Sequence, residues 1–282
     1  MRGRTPTLFA LSFALGGCTV AINQDSFFPQ TMPAPAAALT APPGYTMEEA
    51  LIVLPSVGAV HVVRLDNPAS EATLIYSGGN GSFVAGQSQM AAALADAAKT
   101  DIILYDYPGR GGTTVPPTID ASLANGPALL EALRARGWIG RAGLFAYGLS
   151  FGGSQAAAMV RNGGFDGLII EGSAADIPRI GRGFVPALVR PFVLLRVDPV
   201  LARFEYAEYA IASGAPILLV SSADDRIVAA PIMRDFATDL RAKKVDVTFV
   251  SVPGGHGRAL GDPAARAAVT RFLATHARPA GG

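Results

Sequence analysis

The sequence predicts an α/β fold in which a mostly parallel central sheet is flanked by helices on both faces. Three observations lead there. Short apolar runs alternate with helix-length segments over most of the chain. The runs are apolar at successive positions rather than at every second one, as strands buried on both faces must be. Hydrophobic residues make up 50% of the 282 positions and charged ones 16%, enough apolar surface to bury such a sheet. The net charge of +1, with no long run of one sign, gives no grip on a phosphate backbone, so nucleic acid is not an expected partner.

In chain order, "MRGRTPTLFALSFALGGCTV" places Arg2 and Arg4 before an apolar run, then Gly16, Gly17 and Cys18. That is the order of a charged region, an apolar region and a small-residue cleavage site in a secretory signal. The run is too short and too glycine-broken for a membrane span. Cys18 is the only cysteine, which rules out an intrachain disulfide and a cysteine-based zinc site. Leu15-Gly16-Gly17-Cys18 resembles the lipobox of bacterial lipoprotein precursors. The resemblance implies a signal peptide over residues 1–17, cleavage before Cys18, acylation of Cys18 and a lipid-anchored address in the bacterial cell envelope. Thr19 stands where an aspartate commonly retains such proteins at the inner membrane, so the outer membrane is the expected one. Residues 18–46, rich in Pro and Ala and without a sustained period, read as a semi-rigid tether to that membrane.

A single domain is expected over 47–277, with a short tail at 278–282. "EEALIVLP" and "AVHVVRL", separated by Pro-Ser-Val-Gly, read as an antiparallel opening pair. Strands are then expected at 73–79, 101–107, 142–148, 167–173, 216–222 and 245–252, with helices near 86–99, 120–136, 151–162, 229–243 and 260–276. The rhythm stretches once, over 174–214, where four prolines interrupt two apolar, helical-looking pieces. A connection that long in a compact domain reads as a lid-like insertion before the penultimate strand. Its mixture of Phe, Leu and Val with Arg182, Arg190, Arg196 and Arg203 is compatible with a cover over an apolar, lipid-like acyl group.

In open parallel sheets ligands bind beyond the carboxyl ends of the strands, which directs attention to "GLFAYGLSFGGSQAAAMV". Gly148-Leu149-Ser150-Phe151-Gly152 is a G-x-S-x-G sequence between a strand and a helix, the context in which that motif forms a nucleophile elbow. Glycines are needed because side chains two residues before and after the serine would strike the neighbouring strand and helix. A serine hydroxyl needs a base, and the base an acid to orient it. Among the three histidines, His61 falls in an early strand and His276 in the last helix, where structural roles are expected. His256 lies in the glycine-rich loop "VPGGHGRAL" after the last strand and is the candidate base. Asp225 and Asp224, in "LLVSSADDRIV" after the penultimate strand, are candidate acids, with Glu171 a more remote one.

Over this stretch the chain resembles the α/β-hydrolase family, whose members carry Gly-x-Ser-x-Gly, then an acid in a small-x-x-Asp-x-x-Val setting, then Gly-His near the end. The resemblance implies an α/β-hydrolase fold and a triad of Ser150, His256 and Asp225, with Asp224 as the alternative acid. It also implies an oxyanion hole from the N–H of Phe151 and one in "YSGGNGS", where Gly78-Gly79-Asn80 matches the family's His-Gly-x with Gly78 in the histidine's place. Asn80 is the expected donor there, with Gly79 the alternative. Asp106 and Arg110, in "YDYPGRGGT", are expected to brace loops. No metal or cofactor is called for: those glycines lack the lysine and Ser/Thr pair of a phosphate-binding loop. The expected activity is hydrolysis of a small-molecule carboxylic ester, or of a thioester or amide. Acyl transfer by the same residues and a non-catalytic binding protein of the envelope are the competing readings.

Overall fold

The computed structural model describes residues 18–28, 32 and 34–278. The expected signal peptide at 1–17 and positions 279–282 of the expected tail lie outside the described residues.

The elements run β1 (Cys18–Ile22), β2 (Thr46–Leu54), β3 (Gly58–Asp66), β4 (Ala72–Ser77), α1 (Ser88–Ala98), β5 (Asp101–Tyr105), α2 (Ile119–Ala135), β6 (Gly143–Leu149) and α3 (Phe151–Val160). They continue with β7 (Gly167–Glu171), α4 (Ile177–Gly183), β8 (Val193–Val197), α5 (Tyr206–Ala212), β9 (Ile217–Ser222), α6 (Ala230–Ala242), β10 (Val247–Val252) and α7 (Pro263–His276). Among the described residues, eight strands form the main sheet in the order β10-β9-β7-β6-β4-β5-β3-β2. β2, β3 and β5 pair antiparallel, and from β5 to β10 every pairing is parallel.

The unbroken apolar runs of the sequence are explained by burial on both faces. Ile75, Ile103, Leu168 and Leu219 point into a core shared with α2, α3 and α6. Their neighbours Leu74, Ile102, Ile169 and Leu218 point into a second core, under α1 and α7. Each such side chain is withdrawn from water, worth about 1.5–3 kcal/mol apiece, and the alternation distributes this between the two faces.

Two segments differ from the expectations. Within 174–214, the stretch 193–197 is a strand and not a helix. Its sequence Val-Leu-Leu-Arg-Val favours extended backbone, and it has a partner the insertion itself does not contain. That partner is β1, paired in parallel from Cys18 opposite Val193 to Ile22 opposite Val197. Residues 18–28, expected as part of the tether, are therefore built into the domain. Phe28 is fully buried in the first core, and Leu39, Ala41 and Tyr45 pack on the second. Prolines made the segment look solvated, but its aromatic and aliphatic side chains find apolar surface to cover.

Candidate active site

The turn from β6 to α3 sets the site. Ser150 has φ +54° and ψ −123°, a backbone conformation that side-chain-bearing residues rarely adopt and that costs on the order of 1–3 kcal/mol. Two bonds hold it: the Ser150 N–H donates to the carbonyl of Glu171 on β7 at 2.9 Å, and Gly153 N–H donates to the Ser150 carbonyl at 2.8 Å. The flanking glycines leave no room for a side chain. A Cβ on Gly148 would lie 2.3 Å from the Gly152 carbonyl oxygen, and one on Gly152 would lie 2.0 Å from that of Ser77. Ser150 is thus raised at the amino end of α3, whose first N–H groups, Phe151's among them, have no carbonyl one turn back within the helix.

His256 and Asp225 meet across two loops. Nδ1 of His256 and Oδ2 of Asp225 are 2.8 Å apart, with the Asp225 side chain 1% exposed. The other carboxylate oxygen accepts the N–H groups of Ile227 at 2.8 Å and Val228 at 2.9 Å, so the carboxylate is fixed before it meets the ring. Asp224 faces elsewhere: its Oδ2 accepts the Gly254 N–H at 3.2 Å and it is exposed. Of the two aspartates the sequence left open, it is Asp225 that is bonded to the histidine.

Ser150 and His256 line one cavity of about 710 Å³ beyond the carboxyl ends of the strands. No hydrogen bond joins the two among the described residues; such contacts commonly tighten only around a bound substrate. Gly79 and Asn80 line the same cavity, and a Cβ on Gly79 would be 3.7 Å from that of Ser150. The loop has its own support where the motif lacks histidine. A Cβ on Gly78 would sit 2.2 Å from the Ser82 Oγ, which leaves no space for a histidine. Instead the Tyr107 hydroxyl donates to the Gly78 carbonyl at 2.5 Å, and Arg110 donates to the Asn80 Oδ1 at 3.0 Å. Asp106 accepts the Val84 N–H at 2.9 Å, so Asp106 and Arg110 both brace loops.

The other two histidines have structural neighbours. His61 Nδ1 lies 2.6 Å from Asp106 and its Nε2 lies 2.7 Å from Glu49, which raises its pKa, while His276 packs edge-on against Phe272. Among the described residues, no group of three or more His, Cys, Asp or Glu is arranged to hold a metal ion.

Glu171 supports the site without touching His256. One carboxylate oxygen accepts the Tyr147 hydroxyl at 2.5 Å and the other accepts the Ala259 N–H of the histidine loop at 2.9 Å. Burial pushes its pKa above the ordinary carboxylate value of 4.5, opposed by those two donors and by His256, and reinforced by Asp225. A carboxyl that holds its proton more tightly folded than unfolded makes stability fall as pH rises from the unfolded pKa through the folded one. Glu171→Gln keeps the shape and removes the titration. The wild type is therefore expected to lose stability relative to the variant as pH rises from about 4.5, measured by urea unfolding across a pH series. A difference independent of pH would contradict this.

The insertion lines the cavity where a cover was expected, whereas sequence reasoning missed the wall supplied by the amino-terminal segment. Ile22, Ser26 and Phe27 from the amino-terminal segment, with Ile180, Leu201 and Phe204 from the insertion, also line the cavity. The Phe-Phe pair inside a Pro/Ala-rich stretch was the available signal.

No family model and no curated protein matches the chain in sequence. Its structure is similar to those of several solved proteins. The Pyrococcus furiosus esterase Pf2001 shares 16% identity over 86% of this chain and 99% of that one, with a TM-score of 0.66. An esterase of Pyrobaculum calidifontis shares 16% over 83% and 85%, with a TM-score of 0.60. A thermostable esterase of Pseudomonas putida shares 16% over 84% and 85%, with a TM-score of 0.58. At such identities the likeness establishes architecture, and the chain has the α/β-hydrolase fold.

Proposed function

We propose that this chain is a serine hydrolase that cleaves a carboxylic ester, with thioesters and amides within reach of the same chemistry. The observation that carries the proposal is a strained serine at the end of β6 sharing a cavity with a histidine whose Nδ1 is held by a buried carboxylate. With Nδ1 engaged, Nε2 of His256 is the nitrogen available to take a proton.

In this mechanism Ser150 Oγ bonds to the substrate carbonyl carbon while its proton passes to His256 Nε2. The carbonyl oxygen becomes an oxyanion, met by the N–H of Phe151 and that of Asn80 or Gly79. Collapse breaks the bond to the alcohol oxygen, which leaves with the proton from His256, and Ser150 carries the acyl group. Water then gives a proton to His256, bonds to the acyl carbon and releases the acid, and the proton returns to Ser150. Asp225 keeps the ring in one tautomer and stabilises the imidazolium. The mostly apolar lining fits an ester with an apolar acyl group. Similarity in fold to the esterases named above supports the reaction class by analogy.

The amino-terminal sequence supports a second element of the proposal: acylation at Cys18 and a lipid-anchored place in the bacterial envelope, at the outer membrane. One experiment tests both. Protein isolated from bacterial membranes is treated with a fluorophosphonate, and its intact mass and peptides are measured. The expected result is one phosphonate adduct on Ser150, absent in Ser150→Ala and His256→Ala, and an acylated Cys18 as first residue. A folded wild type without the adduct would point to a non-catalytic binding protein on this fold. An unmodified Cys18 would remove the anchor.

A further inference from the structure

The segment 18–28 crosses the cavity and joins its two sides. β1 adds a strand to the insertion, and the Asp198 N–H donates to the Ile22 carbonyl at 2.8 Å. Asn23 and Ser26 cap a single 3-10 turn over Gln24–Ser26 reciprocally. The chain then turns Phe27 and Phe28 toward Ser150's neighbour. The Phe27 ring stacks on Phe151 with centroids 4.9 Å apart, and Phe28 meets the same ring edge-on at 5.4 Å. Tyr107 and Phe204 close the cluster around Phe151 at 5.7 and 6.0 Å.

Polar ties run in the same direction. Asn80 Nδ2 donates to the Ser26 carbonyl at 2.8 Å, and the Arg110 guanidinium donates to the Phe27 carbonyl at 2.7 Å. The same Arg110 nitrogen donates to Asn80 Oδ1, so loop and segment share one cation. At the far end the Gln24 side chain accepts the Ile119 N–H at 2.9 Å. Phe151 and the expected donor Asn80 are thus held by this one strap, Phe151 through its ring and Asn80 through its side chain.

We infer that residues 18–28 are part of the active site: Phe27 walls the chamber that takes an apolar acyl chain, and the strap positions the two oxyanion donors. The inference rests on the serine-hydrolase reading. Phe27 is a specificity-determining residue and, through Phe151, a positioning one. Ser26 acts on Asn80 alone, by its backbone. An aromatic contact of this kind adds to the area it buries, which fixes the ring of a residue whose backbone N–H must meet an oxyanion.

The test uses the full chain in detergent and a series of p-nitrophenyl esters from acetate to laurate. Phe27→Ala removes the wall and the stack. Its preferred acyl chain is expected to lengthen by about two carbons or more, with kcat on the wild type's best ester down about tenfold. Asn80→Ala keeps the backbone N–H and the wall but cuts the tie to Ser26. Its kcat is expected to fall about fivefold with KM and chain-length preference unchanged, a split that general loosening would not produce. Arg271→Ala, exposed on α7 and away from the cavity, is expected to match the wild type. If Phe27→Ala does not fold, Phe27→Leu takes its place with the same expected direction. A wild type that hydrolyses esters while the Phe27 variant keeps the same chain-length profile overturns the inference and leaves the hydrolase reading standing. A wild type inert toward every ester and toward fluorophosphonate removes both.

Discussion

Asp225→Asn is expected to lower kcat by about three to four orders of magnitude with folding intact, while Asp224→Asn changes it by no more than about threefold. The difference follows from which oxygens are already committed. Asp225 Oδ1 accepts two backbone N–H groups, from Ile227 and Val228, so an asparagine there must keep its oxygen in that position. Its NH2 then faces His256 Nδ1 in place of Oδ2 and donates to it. The imidazole is driven to carry its own proton on Nε2, the nitrogen that must receive the proton of Ser150. Geometry survives and chemistry is lost, because the base is presented in the wrong tautomer. Asp224 is exposed and meets only the Gly254 backbone, an acceptor role that asparagine also fills. The two variants are compared by steady-state hydrolysis of one ester, with near-ultraviolet circular dichroism as the check on folding. Equal losses in both, or a loss below about tenfold in Asp225→Asn, would sink the assignment of the acid.

The parts of this site that the sequence made legible are those governed by short-range chemistry. Gly148 and Gly152 announce a turn that admits no side chain, and the structure supplies the carbonyl oxygens they avoid. The strands were legible because burial on both faces forces them to be apolar at successive positions. His256 was singled out because a loop at the end of the last strand lies where a parallel sheet opens its ligand site. Asp224 and Asp225 are separated in the sequence only by the family resemblance, which favours Asp225, and not by short-range chemistry. Which of two adjacent carboxylates turns inward depends on the N–H groups of Ile227 and Val228 beyond them, a matter of loop conformation.

The strap and the strand Val193–Val197 were illegible for a related reason. Neither has a partner nearby in sequence: Cys18–Ile22 finds β8 more than 170 residues downstream, so no local period reveals either one. Glu171, which follows a strand, is the remote candidate for the acid that orients the histidine. The tertiary fold gives it the Tyr147 hydroxyl and the Ala259 N–H instead, and it holds the histidine loop from behind.

Gly152→Ala is expected to destabilise the fold by about 3 kcal/mol or more and to abolish hydrolysis in whatever remains soluble. The added Cβ would meet the Ser77 carbonyl oxygen at 2.0 Å, the Ser77 carbonyl carbon at 2.6 Å and the Gly78 carbonyl oxygen at 2.5 Å. These are backbone atoms at the end of β4, a central strand paired on both sides with β5 and β6, so no side-chain rotation relieves the contact. Either α3 lifts from the sheet or the end of β4 moves. The first displaces Ser150 and Phe151, and the second displaces Gly79 and Asn80; a shift near 1 Å at a reacting centre costs about a hundredfold in rate. Gly261→Ala is the control, since a Cβ there meets nothing within 4 Å and its φ is not in the left-handed region. It should stay within about 0.5 kcal/mol of the wild type. Urea midpoints and soluble yield compare the two, with ester hydrolysis measured on the folded fraction. If Gly152→Ala folds and turns over like Gly261→Ala, the elbow is not as tight as these distances require, and the positive φ at Ser150 loses its link to catalysis.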